Sequence, residues 1–160
     1  MILSEFSNFC DEEVLAVTAA TETFEGKSLD LGAATPGDIG VGEPLYFVVQ
    51  AATNIRSASG TGTLEIRLVS DDQATIVPAD AVEHYVTTVA TTASAANAGD
   101  YLAVVQIPRE GTAYKEFLGV TCKPVSQNLA ASTKINAFLT KDVSKIKAYA
   151  DGAPAVPAEA

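Results

Sequence analysis

Between Thr61 and Val69 the chain reads TGTLEIRLV, with Leu64, Ile66 and Leu68 apolar and Glu65 and Arg67 filling the gaps. A side-chain period of two puts the three apolar residues on one side of an extended backbone and the charges on the other. That is the pattern of a strand with one buried face. No amphipathic helix of about twelve residues or more competes with it anywhere in the chain. An alternating, parallel α/β architecture is therefore disfavoured.

Other segments read the same way. VLAVT (Val14 to Thr18) is apolar and β-branched, and a polar interval, TETFEGKS, follows it. Leu29-Asp30-Leu31 is a short apolar–polar–apolar touch. LYFVVQA (Leu45 to Ala51) is apolar at consecutive positions, which suits a strand covered on both faces. SDDQA (Ser70 to Ala74) is turn material. HYVTTV (His84 to Val89) and YLAVVQIP (Tyr101 to Pro108) flank a loop of small residues, and Pro108 stops the second of them. KEFLGVTCKP and KINAFLTKD complete the series, the last with Ile135, Ala137 and Leu139 on one face. Helical spacing of Ile135, Phe138, Leu139 and Val143 competes for that final piece, and a short helix near SKIKAY is allowed. Seven or eight short strands separated by Gly, Pro, Asn and Asp predict one all-β domain over residues 1–150, a sandwich or a barrel. The Ala/Pro-rich tail 151–160 has no periodicity and is expected to be flexible.

Composition narrows the partners. The 160 residues carry 20 acidic and 10 basic side chains, a formal charge of −10. Such a surface repels phosphate and argues against nucleic acid as the partner. No apolar run approaches the ~18 residues of a membrane span. The N-terminus lacks the basic, then apolar, order of a signal peptide, which predicts a cytoplasmic or already mature chain. With no secretion signal, Cys10 and Cys122 are expected as free, buried thiols rather than a disulfide.

Chemistry is sparse. His84 is the sole histidine, and with two cysteines in no CxxC pair it leaves a structural zinc site short of ligands. Nucleophile elbow, P-loop and HExxH motifs are all absent. GTGT near Gly60 and GDIGVG near Gly37 open no helix and so make poor phosphate cradles. Asp11-Glu12-Glu13 and Asp71-Asp72 lack the spacing of a calcium loop and read as solvated turns. Two carboxylates from distant strands could still meet as a glycosidase pair, but no pair stands out. Catalytic, cofactor and metal sites are all expected to be absent.

DIGVGEPLYFVVQ (Asp38 to Gln50) has its own logic. Gly40 and Gly42 permit positive φ or a close backbone approach, and Pro44 sets φ at the entrance to a strand, holding Glu43 extended. The same residues carry a resemblance. LDLG (Leu29 to Gly32) followed by DIGVGEPLYFVV resembles the signature of the capsid cement proteins of tailed bacteriophages, a family represented in Bordetella phage virions. SNFCDEEVLAVTAATE is similar to that family's N-terminal segment, EFLGVTCKPVSQNLAASTKINAFLTKD to its late hairpin, and KAYADG to its C-terminal close. Glu116-Phe117 and the loop Ala130 to Ser132 depart from the family's usual residues.

The resemblance implies a jelly-roll-like antiparallel β-sandwich that sits as a homodimer on the outside of a phage head. There it would clamp neighbouring major capsid subunits against internal DNA pressure, without enzymatic chemistry, after assembly in the bacterial cytoplasm. It makes Asp38, Ile39, Gly40, Val41, Gly42, Glu43, Pro44, Leu45 and Tyr46 the structural and interface candidates. Lys141, Lys145 and Lys147 would then grip an acidic capsid patch or else guard a strand edge. The alternative function is a non-catalytic β-sandwich that recognises a glycan or another protein, though the absence of Trp removes the commonest glycan platform.

Overall fold

The computed structural model describes residues 7–16, 18–32, 44–92, 95–108, 111–143 and 146. Among them run eight strands and no α-helix. These are β1 (Asn8–Val14), β2 (Thr23–Asp30), β3 (Tyr46–Ala51), β4 (Thr63–Asp71), β5 (Val82–Ala90), β6 (Tyr101–Gln106), β7 (Phe117–Val125) and β8 (Lys134–Thr140). The first sheet has the order β1-β8-β3-β6 and the second β2-β7-β4-β5.

The pairing has a simple origin. β1 pairs with β8, β2 with β7, β3 with β6 and β4 with β5, all antiparallel. The chain is thus one long ribbon, folded back on itself between β4 and β5 and then rolled up. Ladders from β3 to β8 and from β4 to β7 close the two sheets. Two facing sheets wound in this way are a jelly-roll β-sandwich, which decides between sandwich and barrel.

The core lies between the sheets. Leu64, Ile66 and Leu68 of β4 are fully buried, as their alternation predicts, and each stabilises the fold by about 1.5–3 kcal/mol. Phe47 meets Phe9 at a centroid distance of 6.0 Å and Tyr85 at 6.3 Å, both edge-on. β3 is buried on both faces: Phe47 and Val49 belong to the central cluster, and Val48, pointing the other way, is equally inaccessible. Ile135, Ala137 and Leu139 share the inner face of β8, which is a strand and not the competing helix. Cys10 and Cys122 are free and buried, as expected.

Three expectations change. The first strand is Asn8–Val14 rather than Val14–Thr18. The acidic triplet lies within it because β1 is paired on one side only, so solvent takes its charges. The polar interval TETFEGKS is largely β2, whose Thr23–Asp30 pair with β7 in spite of having few apolar residues. Ser70 and Asp71 end β4 instead of forming a turn, and both are buried. Ser70 is satisfied by His84 and Lys115, far along the chain, and Asp71 by the N–H groups of Asp72 and Val77 in the loop that follows it. Of the segment expected to allow a helix near SKIKAY, only Ile146 lies among the described residues; the tail 151–160 lies outside them.

Candidate interaction surface

Loops at one end of the sandwich converge on Ser70 and His84. Ser70 Oγ accepts the Lys115 N–H at 3.0 Å and shares a 2.7 Å hydrogen bond with His84 Nε2. The imidazole stacks on Tyr114 at 3.8 Å between centroids, and the Tyr114 hydroxyl donates to the Pro108 carbonyl at 2.8 Å. Beside them Asp71 accepts the N–H groups of Asp72 (2.7 Å) and Val77 (2.9 Å), and Lys115 Nζ lies 3.0 Å from Asp72 Oδ2. A serine hydroxyl against an imidazole has the composition of a nucleophile–base pair. Ser70 is sealed, however, with no exposed surface for a substrate to reach. The pair fastens loops.

This fastener has a pH signature. Burial holds His84 below its ordinary value of 6.5, so the unfolded chain takes up a proton more readily than the folded one. Its stability contribution is complete above pH 6.5 and is lost as pH falls through that value toward the lowered folded one. Thermal melts from about pH 7.5 to 5.5 should show the midpoint falling, and His84→Gln should flatten that slope.

The outer face of β4 holds the main charge network. Arg67 Nη1 lies 3.0 Å from Glu22 Oε2, Nη2 2.5 Å from Glu65 Oε2, and Nε 3.3 Å from Glu83 Oε2. Thr121 donates to Glu22 Oε1 at 2.6 Å. Arg67, with Lys123 of β7 opposite Glu65, faces three carboxylates, so these groups leave a small negative excess on this face of the second sheet.

Among the described residues each sheet has two edge strands, and four strands therefore present backbone groups sideways. β1 carries Asp11, Glu12 and Glu13 and two register shifts, with Glu12 at φ 49° and paired to Lys134 at 3.3 Å. β2 carries Lys27, a register shift, and Glu25 pointing inward. β5 carries Glu83 and His84 and a register shift against β4. β6, YLAVVQ, has no charged residue.

Glu25 deserves a test of its own. Its Oε1 accepts the Thr23 hydroxyl at 2.5 Å and the Ala16 N–H at 3.4 Å. Burial raises its pKa above the ordinary 4.5. The neutral form thus favours folding, and that stability is present below pH 4.5 and lost as pH rises through the raised folded value. Glu25→Gln keeps an acceptor for both donors. Its melting temperature should exceed the wild type's at neutral pH and converge with it below about pH 4.5.

The sequence-derived candidates distribute unevenly. Asp38, Ile39, Gly40, Val41, Gly42 and Glu43 lie outside the described residues, as do Lys145 and Lys147. Pro44 is exposed at the approach to β3, as its fixed φ suits. Leu45 accepts the Ile107 N–H at 2.9 Å, and Tyr46 sits between Gln106 of β6 and Thr140 of β8. The described end of the signature thus delivers the chain into the centre of the first sheet. Asp11 and Glu13 line a groove with Asn8, Phe9, Gly26 and Lys27. Among the described residues no three His, Cys, Asp or Glu side chains gather as metal ligands. Gly60 and Gly62 of GTGT take positive φ in the turn before β4. The Cys10 thiol is pushed up to about 12, chiefly by burial, and is held as the unreactive thiol.

No curated protein matches the chain. A family model described as Bbp16 matches residues 9–139. That span runs from the second residue of β1 to the next-to-last of β8 and takes in the whole jelly roll. The chain belongs to the Bbp16 family, whose name is that of a Bordetella phage protein.

Proposed function

We propose that the chain is a structural virion protein, a capsid cement protein that binds the outside of a phage head as a homodimer and bridges major capsid subunits. The observation that carries this reading is the family match across all eight strands, taken with the cement-protein signature in Asp38 to Tyr46. The surface supports it. The polar clusters tie the sandwich together, with Ser70 closed to solvent and both thiols buried.

The clamp works by fit and number. A chain of charge −10 is repelled by the packaged DNA and by stray nucleic acid in the host. It therefore meets the protein shell without competition from phosphate backbones. A specific protein interface buries roughly 1,600 Å², and a dimer contacting several subunits gains avidity without any one contact being strong. A jelly roll suits this task because its stiffness comes from paired backbone rather than from a ligand.

The test is capsid binding. Purified chain should co-sediment with heads assembled from the major capsid protein encoded in the same phage genome and raise their resistance to heat. Density of jelly-roll size should appear on the outer surface of the decorated heads. Heads that neither bind the chain nor gain stability would overturn the reading.

A further inference from the structure

We infer that two copies of this chain join through the free edge of β6, pairing antiparallel about a two-fold axis at Val104 so that both first sheets become one continuous sheet. This rests on the homodimer in the reading above and adds where the copies meet.

Three observations point to this edge. The first is chemical. Proteins blunt exposed edges with charges, irregular register or inward-pointing ionised groups, and β1, β2 and β5 each carry such devices. β6 has one register shift, at its start between Tyr101 and Ala103, and no charge. The only charged residue from Tyr85 to Pro108 is Asp100. For two chains of charge −10, a neutral edge is where like charges interfere least. Joining through β5 would instead bring together two faces carrying Glu22, Glu65 and Glu83.

The second is the direction of the backbone. The Ile107 N–H donates to the Leu45 carbonyl at 2.9 Å, which makes those two a hydrogen-bonded pair. Alternation then assigns the next ones to Phe47 with Val105 and Val49 with Ala103. Val104 and Gln106 accordingly turn their N–H and C=O groups away from β3, toward the free edge. Among the described residues no strand pairs with them.

The third is a row of side chains. Across the outer face of the first sheet Phe138 stands opposite Val48, and Val48 opposite Val104. Phe138 and Val48 are buried at 4% and 0% exposure, whereas Val104, the end member, is 44% exposed. A two-fold axis at Val104 continues the row into the second copy, placing the two valines side by side. A two-fold contact needs such a self-complementary patch.

The test uses exposed valines on three edges of the full chain. In a hydrogen-bonded antiparallel pair the Cα atoms lie about 5.5 Å apart, within the roughly 4.4–6.8 Å that a disulfide spans. Under mild oxidation Val104→Cys should give a covalent dimer. Val86→Cys on β5 and Val14→Cys on β1 should not. Val104→Asp, which sets two carboxylates face to face, should raise the dimer dissociation constant about a hundredfold or more by light scattering. Gln106→Pro, which removes an outward N–H, should also yield monomers with a native melt. A wild-type dimer that survives both substitutions, or cross-links through Val86→Cys or Val14→Cys, would overturn the edge assignment alone. A wild type that is monomeric at micromolar concentration would overturn the dimer itself, and capsid binding would then have to proceed through single chains.

Discussion

Phe47→Ala is expected to cost about 3–5 kcal/mol of unfolding free energy, a large part of the ~5–15 kcal/mol available to a domain of this kind. Phe47 is the fully buried second residue of β3 and touches an aromatic ring on each side, Phe9 from β1 and Tyr85 from β5. Phe9 belongs to the first sheet and Tyr85 to the second, so one ring links both layers. Truncation removes the transfer free energy of the ring, two edge-on contacts, and the filling of a space that neighbouring strands, locked by their ladders, cannot collapse into. Phe47→Leu restores much of the volume and should recover about half the loss. Chemical denaturation of both variants measures this. A loss below about 1 kcal/mol for Phe47→Ala would mean that the two sheets are not held together through this ring.

The same strand shows what sequence can and cannot say. LYFVVQA announces a strand covered on both sides because apolar residues stand at consecutive positions, and Phe47, Val48 and Val49 are all buried. TGTLEIRLV announces a half-buried one because Leu64, Ile66 and Leu68 alternate with charge. β1 and β2 escape such reading for a physical reason. As edges they are paired on one side, so Asp11, Glu12 and Lys27 can point to water without breaking a ladder. Glu25 is harder still: a carboxylate on the inner face inverts the pattern that marks a core strand. Ser70 looks like a turn residue until His84 and Lys115, distant in sequence, supply its hydrogen bonds, and Asp71 turns inward because the loop after it folds the Val77 N–H back onto its carboxylate. The candidate interface was partly legible. YLAVVQIP is visibly a strand without charge, but that no described strand pairs with its far side depends on the strand order, which is a property of the rolled ribbon and of no single segment.

Gly26→Ala should be the most damaging single-methyl change in the described structure, with a loss above about 3 kcal/mol. Gly26 lies on β2 at φ +67°, in the left-handed region that disfavours a Cβ by roughly 1–2 kcal/mol. A Cβ there would overlap the backbone carbonyl oxygen of Phe9 and come within 3.0 Å of Cys10 Sγ. The obstacle is main chain of β1, fixed by its ladder to β8, so it cannot swing aside as a side-chain tip would. The conformational part of the cost can be separated. Gly60 has φ +75° but open space around its would-be Cβ, so Gly60→Ala carries only the backbone penalty, about 1–2 kcal/mol. The difference between the two variants measures how tightly β1 and β2 close one side of the sandwich. That seam matters for assembly, since it draws two of the four edge strands against each other and leaves β6 among those that no other described strand covers. Gly26→Ala should therefore lose cooperativity in its melt and aggregate through the freed edges of β1 and β2, whereas Gly60→Ala stays soluble. Equal losses in the two variants would show that the seam is loose and that the blunting of β1 and β2 rests on their charges alone.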